Sequence, residues 1–125
     1  MIERTVLVVE DDPKSQKLVR ALLELRGLRV CAANSADQAL AIAGAECPDL
    51  ILMDIQLRGS DGISALNALR ENAATAGIPV IAITAFAMEG DRERFLAHGF
   101  TGYVSKPIDA RSFVDVVTSY LPPEE

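Results

Sequence analysis

Leu50-Ile51-Leu52-Met53-Asp54 is a run of apolar residues with no polar position inside it, and it closes on a carboxylate. A strand with one face in water alternates, whereas a strand that is apolar throughout is covered on both faces, as in a parallel sheet flanked by helices. The run therefore predicts a central strand of an α/β sheet. Its last residue, Asp54, then stands at the carboxyl rim of that sheet, where open α/β folds bind their ligands. An isolated strand-end aspartate caps the following turn. Asp54 is set apart by what three other strand ends bring beside it.

Thr5-Val6-Leu7-Val8-Val9 is a second such run, followed at once by Glu10, Asp11 and Asp12. Asp12-Pro13 supplies a helix N-cap and a proline at the first helical position. Leu18, Val19, Leu22 and Leu23 then recur at helical spacing up to Gly27, a helix stop. Leu28 to Ala33 reads as a short strand. Ser35 and Gln38 form a capping box opening a helix that carries Ala39, Leu40, Ile42 and Ala43, and Pro48-Asp49 leads into the central run. A loop over Leu57 to Gly62 precedes a helix with Ile63, Leu66 and Leu69 turned inward, ending near Asn72. Ile78 to Thr84 is a fourth strand. Gly90 to His98 is a helix stopped by Gly99, and Tyr103-Val104-Ser105 is a fifth strand before Lys106-Pro107. Asp109 caps a last helix, with Phe113, Val116, Val117, Tyr120 and Leu121 on one stripe, which Pro122-Pro123 ends. This alternation predicts a single α/β domain over residues 1–125, a doubly wound five-stranded parallel sheet in the flavodoxin-like order 2-1-3-4-5.

In that order the first, third, fourth and fifth strands deliver Glu10, Asp11 and Asp12, then Asp54, Thr84 and Lys106, to one crevice. Clustered carboxylates repel and some take up protons unless a cation intervenes. Mg2+, or Mn2+ in its place, suits such oxygen ligands. Lys106 adds a fixed positive charge, Thr84 a hydroxyl, and the small Ala85 leaves the approach open. This set is suited to phosphoryl transfer onto Asp54. A flavin or nucleotide site needs a Gly/Ser/Thr-rich loop after the first strand, and acids stand there instead. An aspartyl phosphatase carries a second aspartate two residues after the nucleophile, where this chain has Gln56. His98 reads as a surface or capping residue, and Tyr103 and Tyr120 as packing residues.

The net charge of −6, with no Lys/Arg cluster, speaks against a nucleic-acid partner, because phosphates must be neutralised by a basic stripe. No apolar run approaches the roughly 20 residues that cross a bilayer, and the N-terminus lacks a signal-peptide plan. Cys31 and Cys47 have neither metal-ligand spacing nor partners and read as free thiols in a reducing compartment. Together these features predict a cytoplasmic protein.

The motifs Leu52-Met53-Asp54-Ile55-Gln56-Leu57, Thr84-Ala85-Phe86-Ala87-Met88 and Ser105-Lys106-Pro107-Ile108 resemble those of the receiver domain of bacterial two-component response regulators, of the single-domain type. The resemblance runs from about Thr5 to Leu121. It implies that Asp54 accepts a phosphoryl group from a histidine kinase or a histidine phosphotransfer protein. Glu10, Asp11, Asp54 and the main-chain carbonyl of Gln56 would hold Mg2+. By the same resemblance Lys106 contacts the phosphoryl group, Thr84 swings toward it, Tyr103 turns inward and Lys106-Pro107 is cis. The domain assists its own phosphorylation and dephosphorylation and is a signalling domain rather than an enzyme. Its output is a surface change on the fourth helix, fifth strand and fifth helix, read by a downstream protein. One departure is Arg58, where the family has proline. The other readings are a non-phosphorylated adaptor, which would have no need of the acidic set and Lys106, and a receiver cut from a hybrid histidine kinase. Met1 so close before the first strand favours a natural short protein.

Overall fold

The runs that are apolar at every position are the strands that are buried at every position. In the computed structural model β1 (Thr5–Val9), β3 (Leu50–Asp54) and β6 (Val80–Thr84) have no exposed residue. The structure describes residues 4–57, 60–84, 91–105 and 109–121, and of 56–57, 60–61 and 91–92 the backbone alone. The remaining elements are α1 (Pro13–Leu25), β2 (Arg29–Ala33), α2 (Ala36–Glu46), β4 (Gln56–Leu57), β5 (Ser60–Asp61), α3 (Gly62–Glu71), α4 (Asp91–His98), β7 (Gly102–Ser105) and α5 (Ala110–Tyr120).

The main sheet has the order β2-β1-β3-β6-β7, with every pair parallel. Counted along its five strands this is 2-1-3-4-5. Parallel neighbours need crossovers, which place helices on the sheet faces. Residues alternate between the faces accordingly. Leu7, Val9, Ile51, Met53, Val80 and Ala82 pack in one buried cluster with α2, α3 and α4. Val6, Val8, Leu50, Leu52, Ile81 and Ile83 pack in the other, with α1 and α5. At the β7 margin an ideal Cβ on Gly102 would lie 2.5 Å from Cζ of Tyr120, so the α5 ring rests on bare strand backbone.

The helix ends follow the local chemistry. Asp12 accepts from Lys14 N at the start of α1, with Pro13 behind it, and Gly27 takes φ +79° beyond its end, a conformation natural to glycine. Ser35 accepts from Gln38 N. The Gln38 carboxamide reaches back one residue further than a standard capping box and accepts from Asn34 N at 2.7 Å. Asp109 accepts from Arg111 N to open α5.

Several boundaries differ from the expectation. The fourth strand of the sheet begins at Val80 rather than Ile78, although Pro79 O still accepts from Ile51 N at 2.9 Å. The segment expected as loop holds the antiparallel pair Gln56↔Asp61 and Leu57↔Ser60, and α3 starts at Gly62. Leu18 and Val116 fit their apolar spacing but are 47% and 37% exposed. Each lies at the margin of its helix's buried stripe, whose centre is held by Val19 and Leu23 in α1 and by Phe113, Val114 and Val117 in α5. The expected start of the fourth helix at Gly90 and the stop at Pro122-Pro123 lie outside the described residues.

Arg70, in the last turn of α3, donates to Ala76 O at 3.0 Å, Ile78 O at 2.7 Å and Gly99 O at 3.4 Å. Burial lowers its pKa from the ordinary arginine value, and the three carbonyls supply the polar partners a part-buried guanidinium needs. This one side chain ties α3 to the start of β6 and to the end of α4.

Candidate functional site

Register places the acids. Val9 pairs with Met53, so the next residues along, Glu10 and Asp54, leave adjacent strands at the same level. Glu10, Asp11 and Asp54 each present a carboxylate oxygen, and these atoms all lie within 4.8 Å of one another. Glu10 and Asp54 are buried, at 4% and 5% exposure. Glu10 is held by its main chain, its N–H donating to Ala33 O at 3.0 Å, while its Oε1 accepts from Asp12 N at 3.1 Å. Asp12 itself serves α1: besides the cap, its Oδ2 accepts from Ser15 Oγ at 2.8 Å.

Thr84 closes β6 and is 1% exposed; its register partner is Ser105, the residue before Lys106. Tyr103 sits two steps back along β7 opposite the small Ala82, half-buried, with its ring centroid 5.8 Å from that of Phe95 in α4. Strand alternation puts Thr84, Ala82 and Tyr103 on one face of the sheet. His98 is exposed at the last position of α4. The main chain of Gln56 is the first residue of β4, two past Asp54. Lys106, the Lys106-Pro107 bond, Arg58 and the segment from Ala85 to Met88 lie outside the described residues.

Two positioning features escaped the reading of the sequence. The first is Gly62, which donates its N–H to Ile55 O at 2.8 Å. A Cβ there would meet Asp54 O at 2.9 Å and Ile55 Cα at 3.0 Å, so α3 begins against the main chain of Asp54 itself. The signal was a glycine at the first position of a helix, where its poor propensity needs a reason. The second is Gln16, whose amide reaches Glu10 O, Ala33 O and Asn34 Oδ1. Nothing in the local sequence marks it.

Hard oxygen donors gathered this closely, two of the three buried, need a cation, a proton or opposing donors to offset their repulsion. The set fits Mg2+, which is commonly held by one or two carboxylates and retains several waters.

Comparison with known proteins gives this sheet and its acids a family: the response regulator receiver domain matches residues 6–118, and the chain belongs to that family, whose members act in two-component signalling. Within it, the chain is 42% identical over 118 residues, 94% of its length and 96% of the relative's, to the polar-differentiation response regulator DivK of Brucella ovis, and equally so to that of Brucella suis. Among solved structures, it is similar to the receiver domain of the sensor histidine kinase PA1611 from Pseudomonas aeruginosa, at 34% identity and TM-score 0.85, covering 95% of this chain and 98% of that one. That structure holds a magnesium ion in its active-site cleft. The chemotaxis response regulator CheY4 of Vibrio cholerae, at 23% identity and TM-score 0.89 over 96% of this chain and 100% of that one, shares the fold.

Proposed function

We propose that this protein is a single-domain response regulator whose Asp54 accepts a phosphoryl group from a histidine kinase or a histidine phosphotransfer protein. The observation that carries the reading is the meeting of the Glu10, Asp11 and Asp54 carboxylates at the sheet rim. The likeness to DivK over nearly the whole of both chains supports the single-domain type. Glu10, Asp11 and Asp54, with the main-chain carbonyl of Gln56, would hold Mg2+. When bound, the cation supplies charge neutralisation for the phosphoryl oxygens. Asp54 Oδ is the nucleophile, and the bond between phosphorus and the donor's imidazole nitrogen breaks as the new acyl phosphate bond forms. Lys106 is the phosphoryl-binding cation in this reading. Two free cysteines suit a reducing, cytoplasmic setting. Among the described residues no helix is long and apolar enough to cross a membrane.

Output in this reading is a change on the face of α4, β7 and α5. An aspartyl phosphate adds charge and acceptor oxygens where Thr84 can donate, and the space Thr84 vacates lies on the side of the sheet that holds Tyr103 and Ala82. Charge-assisted hydrogen bonds contribute about 1.5–3 kcal/mol each, and reversing a 1:99 equilibrium takes about 5.5 kcal/mol. Two or three contacts made only in the phosphorylated state would suffice. Amide shifts of α4, β7 and α5 with a phosphoryl mimic should therefore move in wild type and be muted in Thr84→Ala; equal responses would refute the switch. The primary experiment is incubation with Mg2+ and a small phosphodonor, then intact-mass measurement. Wild type gains one phosphoryl group and the Asp54→Asn variant none. No gain in wild type would overturn the reading.

A further inference from the structure

We infer that Gln16 is a positioning residue for the metal-binding acid Glu10, holding it in place through the main chain. This rests on the proposed phosphoacceptor reading, in which Glu10 is a ligand. Gln16 lies on the first turns of α1, half-buried, and its Nε2 is 3.0 Å from Glu10 O, 3.3 Å from Ala33 O and 2.9 Å from Asn34 Oδ1. Two of these partners are carbonyls, which only accept, so the position requires the NH2 end of the amide. A primary amide has two N–H groups, enough for the two shorter contacts, with the third shared. The three acceptors belong to different segments: Glu10 ends β1, Ala33 ends β2, and Asn34 begins the turn into α2.

That turn is fixed in its own right. Asn34 N donates to Gln38 Oε1 at 2.7 Å, and Gln38 N donates to Ser35 Oγ at 3.2 Å. Gln16 therefore ties the Glu10 carbonyl to an anchored frame, while the Glu10 N–H is tied to Ala33 O of that same frame at 3.0 Å. Both main-chain polar groups of Glu10 are thus engaged, which leaves its buried carboxylate little freedom except about its own side-chain torsions. Groups that orient metal ligands from behind change affinity by about 10- to 100-fold when removed. Gln16 acts on the Glu10 main chain and not on its carboxylate, which places the expected effect near the lower end.

The test is Mg2+ titration of the full chain, with thermal melts run in chelator and in excess Mg2+. Gln16→Met keeps length and volume but has no donor. It should bind Mg2+ about tenfold more weakly, with a correspondingly smaller rise in melting temperature on adding the ion. Gln16→Ala lets water take the place of the amide and should lose less, so it serves if the Met variant does not fold. Unchanged Mg2+ affinity in a folded variant, with only the melt in chelator lowered, would make Gln16 a fold clasp and overturn the inference. Failure of wild type itself to bind Mg2+ would overturn the phosphoacceptor reading, and this inference with it.

Discussion

Two aspartates bracket β3, and they are in opposite circumstances. At the amino end Asp49 accepts from Thr5 N through Oδ2 at 2.9 Å and gives its own N–H to Thr5 O at 2.8 Å. Its carboxylate meets a main-chain donor and locks β3 to the start of β1. At the carboxyl end Asp54 meets the carboxylates of Glu10 and Asp11 instead. The residue type is the same, and so is the strand. What differs is the company the fold brings to each carboxylate: a main-chain donor at one end and two further carboxylates at the other.

The sharpest way to break this contrast is exchange at each end in turn. Asp54→Asn should abolish phosphate uptake altogether, whereas Asp49→Ala should leave it intact; mass spectrometry after phosphodonor treatment reads both. Next in size, Asp11→Asn removes one member of the acid cluster and should weaken Mg2+ binding by tenfold or more, with labelling lost in excess chelator. Labelling that survives chelation would mean that the cluster works without a cation. Gly62→Ala forces a methyl group against Asp54 O and should cost about 1–3 kcal/mol, the usual penalty for overpacking. It should also slow phosphorylation, because the displaced backbone is that of the proposed phosphoacceptor. Gly77→Ala, which meets nothing within 4 Å, is the matched control and should do neither. The smallest effect is the stability loss of Asp49→Ala, about 1 kcal/mol by denaturant titration, from leaving Thr5 N–H without its acceptor.

Much of this was legible in the residues. Uninterrupted apolar runs marked β1, β3 and β6 because burial on both faces leaves no position for a polar residue, and the acids that ended two of those runs marked the rim. Asp12, Ser35 and Asp109 announced helix starts because a cap is a local bargain between one side chain and the next few N–H groups. The less legible parts depend on contacts distant in sequence. Gln16 meets Asn34 across most of α1 and all of β2, Arg70 meets Gly99 across an entire strand and helix, and neither partner is inferable from spacing. Leu18 and Val116 satisfied a helical pattern yet are partly exposed, since periodicity gives a stripe's direction and not its width. The pair β4 and β5 was missed because two-residue strands carry no alternation to detect.

The contact between Gly102 and Tyr120 has a consequence for how the sheet comes apart. β7 is a margin strand of four residues, and at Gly102 it has no side chain with which to cover itself. A ring laid over a margin glycine compensates for that bare backbone, a device known as aromatic rescue. Here the ring comes from the last residue of α5, so strand and helix lend each other their cover and should open together as one local unit. Amide exchange would show it: Tyr120→Ala should raise the exchange rates of Tyr103 and Val104 in step with those of α5, while β1 and β3 keep the slow exchange of the sheet centre.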